Sequence, residues 1–362
     1  MEDKQKLKKA FIFLLVAVML TGVFALTSCS KSNTASGGKK EVNVYNWGEY
    51  IDESIFADFE NETGIKVNYS TFQSNEEMYA AMKLGGSDYD VMFPSDYMIQ
   101  RLINEDMLEK LDFKNIPNYE LVSGDFKNPD YDPTNEYSVP YMWGTVGVIY
   151  NSSLIEEEIT SWNALFDAKY TGQILMFNNP RDAVGIALKL LGYSLNTTSE
   201  AEIKEAFALL EQQKPILQAY VMDQIYDKLE NNEAMLGPYY AGDYIVMRET
   251  NPDLKFVLPV EGSNVFTDAM CIPKGAANKE NAELFINFMT STDVCVTNMD
   301  ATGYISANGE AAAAYGEELE PEDYAVQFPQ QEMLDKCEPF LNLPEATLTL
   351  YDNMWVELKS KQ

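Results

Sequence analysis

The stretch EVNVYNWGEYIDESIFADFENETGIKVNYS, residues 41–70, carries a complete strand–helix–strand signal. Val42 and Val44, followed by Tyr45, Asn46 and Trp47, read as a strand rich in β-branched and aromatic residues. Asp52 stands at a helix N-cap position, and Ile55, Phe56 and Phe59 share one helical face. Gly64 ends the helix at C′, and Ile65–Ser70 alternates as the next strand. Two strands joined through a helix by short links form a βαβ unit, which implies a parallel sheet and a right-handed crossover.

The pattern recurs outward from this unit. Helix is predicted over 75–84, strand over 89–94 and helix over 97–104. Residues 139–150 (VPYMWGTVGVIY) read as two extended pieces around a glycine bend, which suits a connection between domains. Further on, strand, helix and helix are expected at 173–177, 181–191 and 200–213. Helix and strand follow at 241–249 and 255–259, a return strand at 268–273, and a helix at 281–289 with Leu284, Phe285 and Phe288 on one face. This alternation is the α/β class. Two such lobes leave a crevice at the carboxyl ends of their strands.

The N-terminus stands apart. Lys4, Lys6, Lys8 and Lys9 precede an apolar run from Phe11 to Leu20, and Leu26-Thr27-Ser28-Cys29 follows. A charged start, an apolar core and small residues before a cut describe a secretory signal. The Leu-Thr-Ser-Cys ending resembles a bacterial lipobox, which implies a signal over 1–28 and lipidation of Cys29. Residues 30–40 have the composition of a flexible tether. The expected location is extracytoplasmic, held to the cell membrane by a lipid.

Composition narrows the chemistry. Lys and Arg total 26 against 57 Asp and Glu, a net charge of −31. Such a chain is a poor partner for nucleic acid and attracts cations. It contains no histidine. Ser-His and Cys-His nucleophilic catalysis and His-based zinc sites are therefore absent. Cys271, Cys295 and Cys337 form no C-x-x-C pair, and their odd number is no disulfide framework, though it leaves room for one bridge.

Several segments together resemble the spermidine/putrescine-binding proteins of bacterial ABC importers. They are Tyr45–Tyr50 (YNWGEY), Glu62–Val67 (ETGIKV), Ser74–Tyr79 (SNEEMY), Tyr89-Asp90-Val91 with Pro94-Ser95, Val139–Gly144 (VPYMWG), Thr160-Ser161-Trp162, Leu191–Ser194 (LGYS) and Gly303-Tyr304. Each is short, but they occur in order from residue 41 to about 310. The resemblance implies a two-lobed, Venus-flytrap fold of the type II periplasmic binding protein class. It also implies a monomer that captures a polyamine for an ABC permease, with no catalysis, cofactor or metal. The expected layout is lobe one at 41–144 and 268–312, and lobe two at 145–267 with C-terminal helices at 313–362.

A polyamine site needs carboxylates for the ammonium groups and flat rings for the methylenes. The resemblance assigns Trp47, Glu49 and Tyr50 after the first strand, Ser95 and Tyr97 after the third, and Asp268 as the residue that clamps an amine. Tyr304 lines the site, and Phe266 and Tyr240 stand where the family has tryptophans. Asn179 and Asp182 stand where it has acidic residues, so one carboxylate is lost. Asp96 reads as a solvated turn residue or helix cap, and Asp243 lies just beyond Tyr240. No match appears near residues 338–340 for a late glutamine of the family.

Other readings fit less of the sequence. Tyr239-Tyr240 is a pair used by some iron-binding proteins, but no histidine or iron motif accompanies it. The 130–136 segment lacks the glycine of a calcium loop. A secreted glycosidase with paired carboxylates has no supporting motif, and a sugar site needs amides more than carboxylates. An amino-acid site needs an arginine for the α-carboxylate, and Arg101, Arg181 and Arg248 are the only ones present.

Overall fold

The computed structural model describes residues 40–85 and 88–360. The expected signal, Cys29 and nearly all of the expected tether lie outside them. Strand β1 (Glu41–Trp47) leads through helix α1 (Ile55–Thr63) to β2 (Lys66–Phe72), and the two strands pair in parallel. Ile55 and Phe59 supply the buried face of α1, and Phe59 meets Phe285 edge-on at 5.2 Å. Gly64 closes this helix at φ 70°, where its N–H reaches the Glu60 carbonyl at 2.8 Å, a conformation that favours glycine. Helix α2 (Asn75–Lys83) is capped by the Ser74 side chain, which accepts from the Glu77 N–H.

Strand β3 (Val91–Met92) is shorter than expected. It pairs with β1 but stops before Pro94, which has no N–H for a ladder. Helix α3 (Asp96–Asn104) follows. Strand β4 (Ser138–Asn151) is one continuous element of 14 residues, not two pieces around a bend. The irregularity falls between Pro140 and Met142, beside the residue that cannot donate, whereas Gly144 stays in the strand.

Beyond β4 come β5 (Ile174–Phe177), α4 (Pro180–Leu190), α5 (Glu200–Gln213), β6 (Leu217–Val221), α6 (Ile225–Glu230), β7 (Leu236–Tyr240), α7 (Ala241–Thr250) and β8 (Leu254–Val257). The chain returns as β9 (Val265–Cys271), α8 (Lys279–Met289), α9 (Thr292–Thr302), β10 (Ile305–Ser306) and α10 (Gly309–Glu318). It ends in α11 (Pro321–Gln327), α12 (Gln331–Leu334) and α13 (Glu345–Ser360).

The strands run β2-β1-β3-β9-β4-β7-β5-β6, with β8 and β10 pairing onto β4. β4 explains the two-lobed plan. Its residues 138–145 pair with β9, and residues 146–151 pair with β7 and β8. One strand thus belongs to two sheets and changes partners between Thr145 and Val146. The layout read from the sequence put boundaries at 267/268 and 312/313. These fall inside β9 and α10, and α10 packs on α9 and β10. Helix α13 packs on α5, with Tyr351 edge-on to Phe207 at 6.0 Å. No helix among the described residues is long and apolar enough to cross a membrane.

Candidate functional site

The carboxyl ends of β1, β3, β5, β6 and β7 converge on one cleft. This is the expected ligand position of an open α/β sheet. From the turn after β1 come Trp47 and Tyr50. The Trp47 indole donates to the Phe93 carbonyl at 2.8 Å and lies 4.5 Å from the Phe72 ring, which fixes its plane. Ser95, at the N-cap of α3, accepts from the Asn75 amide at 3.0 Å, and Tyr97 donates to Glu76 at 2.9 Å. Ser95 also bridges to Asp268 on β9.

The opposite wall is built the same way. Asn179 caps α4, its side-chain oxygen accepting from the Arg181 and Asp182 N–H groups. Its amide donates to Asp182 at 2.5 Å, and the Tyr240 hydroxyl donates to the same Asp182 oxygen at 3.1 Å. Tyr239 donates to Asp223 at 3.0 Å. Tyr226 donates to one oxygen of Asp243 at 2.7 Å, and Tyr304 donates to the other. The rings of Tyr240 and Phe266 meet edge-on at 5.5 Å, as do Tyr50 and Tyr304 at 4.8 Å.

Ten of the residues expected from the sequence line this cavity: Trp47, Tyr50, Ser95, Tyr97, Asn179, Asp182, Tyr240, Phe266, Asp268 and Tyr304. Glu49 does not. It sits exposed on the turn after β1 at φ 49°, outside the lining. Asp96 reverses its expectation. Instead of facing solvent it is buried and lines the cavity. Asp223, Asp243 and Phe340 also line it. Asp223 carried no signal in the sequence beyond following a strand that was not recognised. Tyr239 and Tyr240 donate to different aspartates and do not converge on one point. Cys271, Cys295 and Cys337 are free thiols.

The lining holds aspartates 96, 182, 223, 243 and 268 and no lysine or arginine. Burial raises the carboxyls of four of them. Asp96 is pushed up to about 8, and Asp182, Asp243 and Asp268 to about 7, burial being the largest cause in each case. Nearby hydroxyls of Ser95 and Tyr50 oppose the shift of Asp268. The Asp268 Oδ1 and the Tyr50 hydroxyl are both buried and neither completes a hydrogen bond. An unsatisfied buried acceptor of this kind is costly unless a donor arrives. The cavity therefore suits a ligand that brings positive charge, N–H donors and an apolar body to lie along the rings.

Residues 54–325 match the family described as bacterial extracellular solute-binding proteins. The chain belongs to that family. These extracellular solute-binding proteins are binding proteins, not enzymes. Among relatives, the spermidine/putrescine-binding periplasmic protein of Salmonella typhimurium is 34% identical over 318 residues, covering 87% of this chain and 90% of its own. The putrescine-binding periplasmic protein SpuD of Pseudomonas aeruginosa is 28% identical, covering 97% and 99%. Among solved structures, the spermidine/putrescine ABC transporter substrate-binding protein PotD of Streptococcus pneumoniae superposes with a TM-score of 0.73 at 34% identity, covering 88% and 98%. The TpPotD lipoprotein of Treponema pallidum gives 0.77 at 27%, covering 88% and 99%.

Proposed function

We propose that this solute-binding protein captures a small aliphatic polyamine, putrescine or spermidine, and hands it to the membrane permease of an ABC importer. The observation that carries the reading is the cavity itself: five aspartates and several aromatic rings, with no lysine or arginine in the lining. The names of its relatives point the same way. Asp268, with its unpartnered Oδ1, is the clamp for one ammonium. Asp182 and Asp243 receive the other charge. Trp47, Tyr240, Phe266 and Tyr304 enclose the methylenes, and Tyr50, Ser95, Tyr97 and Asn179 complete the polar frame.

The lobes meet where β4 changes sheets. Lobe one comprises 41–145 with 265–312 and the remainder of α10, and lobe two comprises 146–264 with the C-terminal helices. The ligand bridges Trp47, Ser95 and Asp268 on one side to Asp182 and Tyr240 on the other, so it binds the closed form better than the open one. The permease recognises the closed shape. A monomer anchored by a lipid on Cys29 keeps the domain near that permease. A single lipid gives anchoring, not spanning.

A thermal-shift panel of amines, sugars and amino acids tests the reading. Amines are expected to raise the melting temperature, and sugars and amino acids to leave it unchanged. Stabilisation by a sugar or an amino acid alone would replace this reading with another.

A further inference from the structure

Asp223 stands on the link between β6 and α6, half-buried in the lining of the cleft. One of its oxygens accepts from the Tyr239 hydroxyl at 3.0 Å, which orients the carboxylate. The other, Oδ2, receives no hydrogen bond from any described residue, and no described lysine or arginine pairs with Asp223. Oδ2 faces the turn after β1 in lobe one, where Gly48 also lines the cleft and has no side chain to press on it.

Asp243, on the first turn of α7, is the nearest charge of the same sign in its surroundings. Burial raises the Asp243 carboxyl most, and the field of Asp223 raises it further. After burial, the same two aspartates are the leading charges that raise the Tyr239 hydroxyl. Two carboxylates that feel each other, in a lining without lysine or arginine, oppose each other's ionisation until a cation arrives. Each oxygen of Asp243 already accepts a hydroxyl, from Tyr226 and from Tyr304, whereas Asp223 keeps Oδ2 open. An ammonium drawn to the pair therefore finds its free acceptor on Asp223. Asn179, whose amide donates to Asp182, brings no charge to this lobe, and Asp223 supplies one at another point of it.

Resting on the polyamine reading above, we infer that Asp223 is a further ligand-binding residue: with Asp243 it takes the second ammonium of the ligand, through Oδ2, and it demands a cation there instead of a hydroxyl. A hydroxyl donates one hydrogen bond and leaves the paired negative charge in place. An ammonium carries three donors and offsets the repulsion between the two carboxylates. Because Oδ2 lies against the Gly48 turn, the ammonium it holds sits at the junction of the lobes and favours closure.

Calorimetric titration of the full chain with putrescine and with 4-aminobutan-1-ol, which exchanges one ammonium for a hydroxyl at nearly the same length, tests this. The wild type is expected to bind putrescine at least about tenfold more tightly than the amino alcohol, the scale of one charge-assisted hydrogen bond. D223N keeps the shape and an acceptor for Tyr239. It should weaken putrescine at least about tenfold and narrow its advantage over the amino alcohol, and D223S should do the same. An amino alcohol bound as tightly as putrescine by the wild type would overturn the inference. So would putrescine affinity unchanged or raised in the folded variants, or an advantage over the amino alcohol that neither variant narrows. A folded wild-type chain that binds no aliphatic amine at all would overturn the polyamine reading itself, a result distinct from the others.

Discussion

Gly48 and Asp223 approach so closely that a Cβ on Gly48 would lie 2.9 Å from Asp223 Oδ2. Gly48 follows β1 and Asp223 follows β6, so the contact joins the two halves of the cleft. Asp223 is held in place by the Tyr239 hydroxyl on its other oxygen. Gly48→Ala should therefore crowd the closed form while leaving the open form untouched. Overpacking of about 1–3 kcal/mol would lower ligand affinity roughly five- to 150-fold. Titration would show the loss, and melting of the unliganded protein should change little. Unaltered affinity would mean that this contact is not made in the bound state.

Asp268 tests the clamp. Asp268→Asn keeps the shape and removes the charge. Hydrogen bonds to charged groups contribute about 1.5–3 kcal/mol, so affinity should fall roughly ten- to 150-fold. Because burial raises the Asp268 carboxyl to about 7, ionising it disfavours the folded state. The amide should therefore melt no lower than the wild type at pH 8, and a lower melting temperature would count against the assignment.

The raised carboxyls give a pH dependence with a definite sign. Asp182, Asp243 and Asp268 have folded values near 7 and Asp96 near 8, all above the ordinary carboxyl value. Between about pH 4 and pH 8 the unliganded folded state thus holds protons that the unfolded chain has lost. Its stability contribution from these groups is full below pH 4 and declines as pH rises, by up to about 1.4 kcal/mol per pH unit per group. A bound dication favours the ionised forms and releases those protons. The melting shift produced by putrescine should accordingly grow from pH 5 to pH 8. A shift that shrinks over that range would contradict the buried-carboxylate site.

Much of this was legible in advance because helix ends carry local signals. Ser74 and Gly64 act where their residue types suggest, and the β1–α1–β2 unit follows the hydrophobic pattern. Strands β6 and β7 were not legible. LQAYV is half-buried almost throughout and shows no alternation, and LGPYY contains both Gly and Pro. Missing β6 concealed Asp223, which stands just beyond its end. Asp96 and Glu49 were misplaced for a related reason. Each follows a strand end, where alternation no longer says which way a side chain faces. The bridge between half-buried Ser95 and buried Asp268 ties the start of α3 to β9, whereas the left-handed φ of Glu49 leaves that residue in solvent.

The Asn342 N–H donates to Gln100 Oε1 at 3.0 Å, and Phe340 meets Tyr97 edge-on at 5.9 Å. The segment carrying Phe340 and Asn342 is tied to the α4 side by Asn196 and Lys189. It therefore bridges the cleft through its own contacts. Gln100→Ala should remove about 0.5–1.5 kcal/mol from closure and weaken every ligand by a similar factor, up to roughly tenfold. An effect confined to one ligand would indicate direct recognition instead.

The central claim is an acidic, ring-walled slot that closes on an aliphatic dication. Isothermal titration of the folded chain with putrescine at pH 7.5 tests it most directly. One ligand per chain is expected, with proton release revealed by a dependence of the heat on buffer ionisation. No heat with putrescine, cadaverine or spermidine would contradict the account.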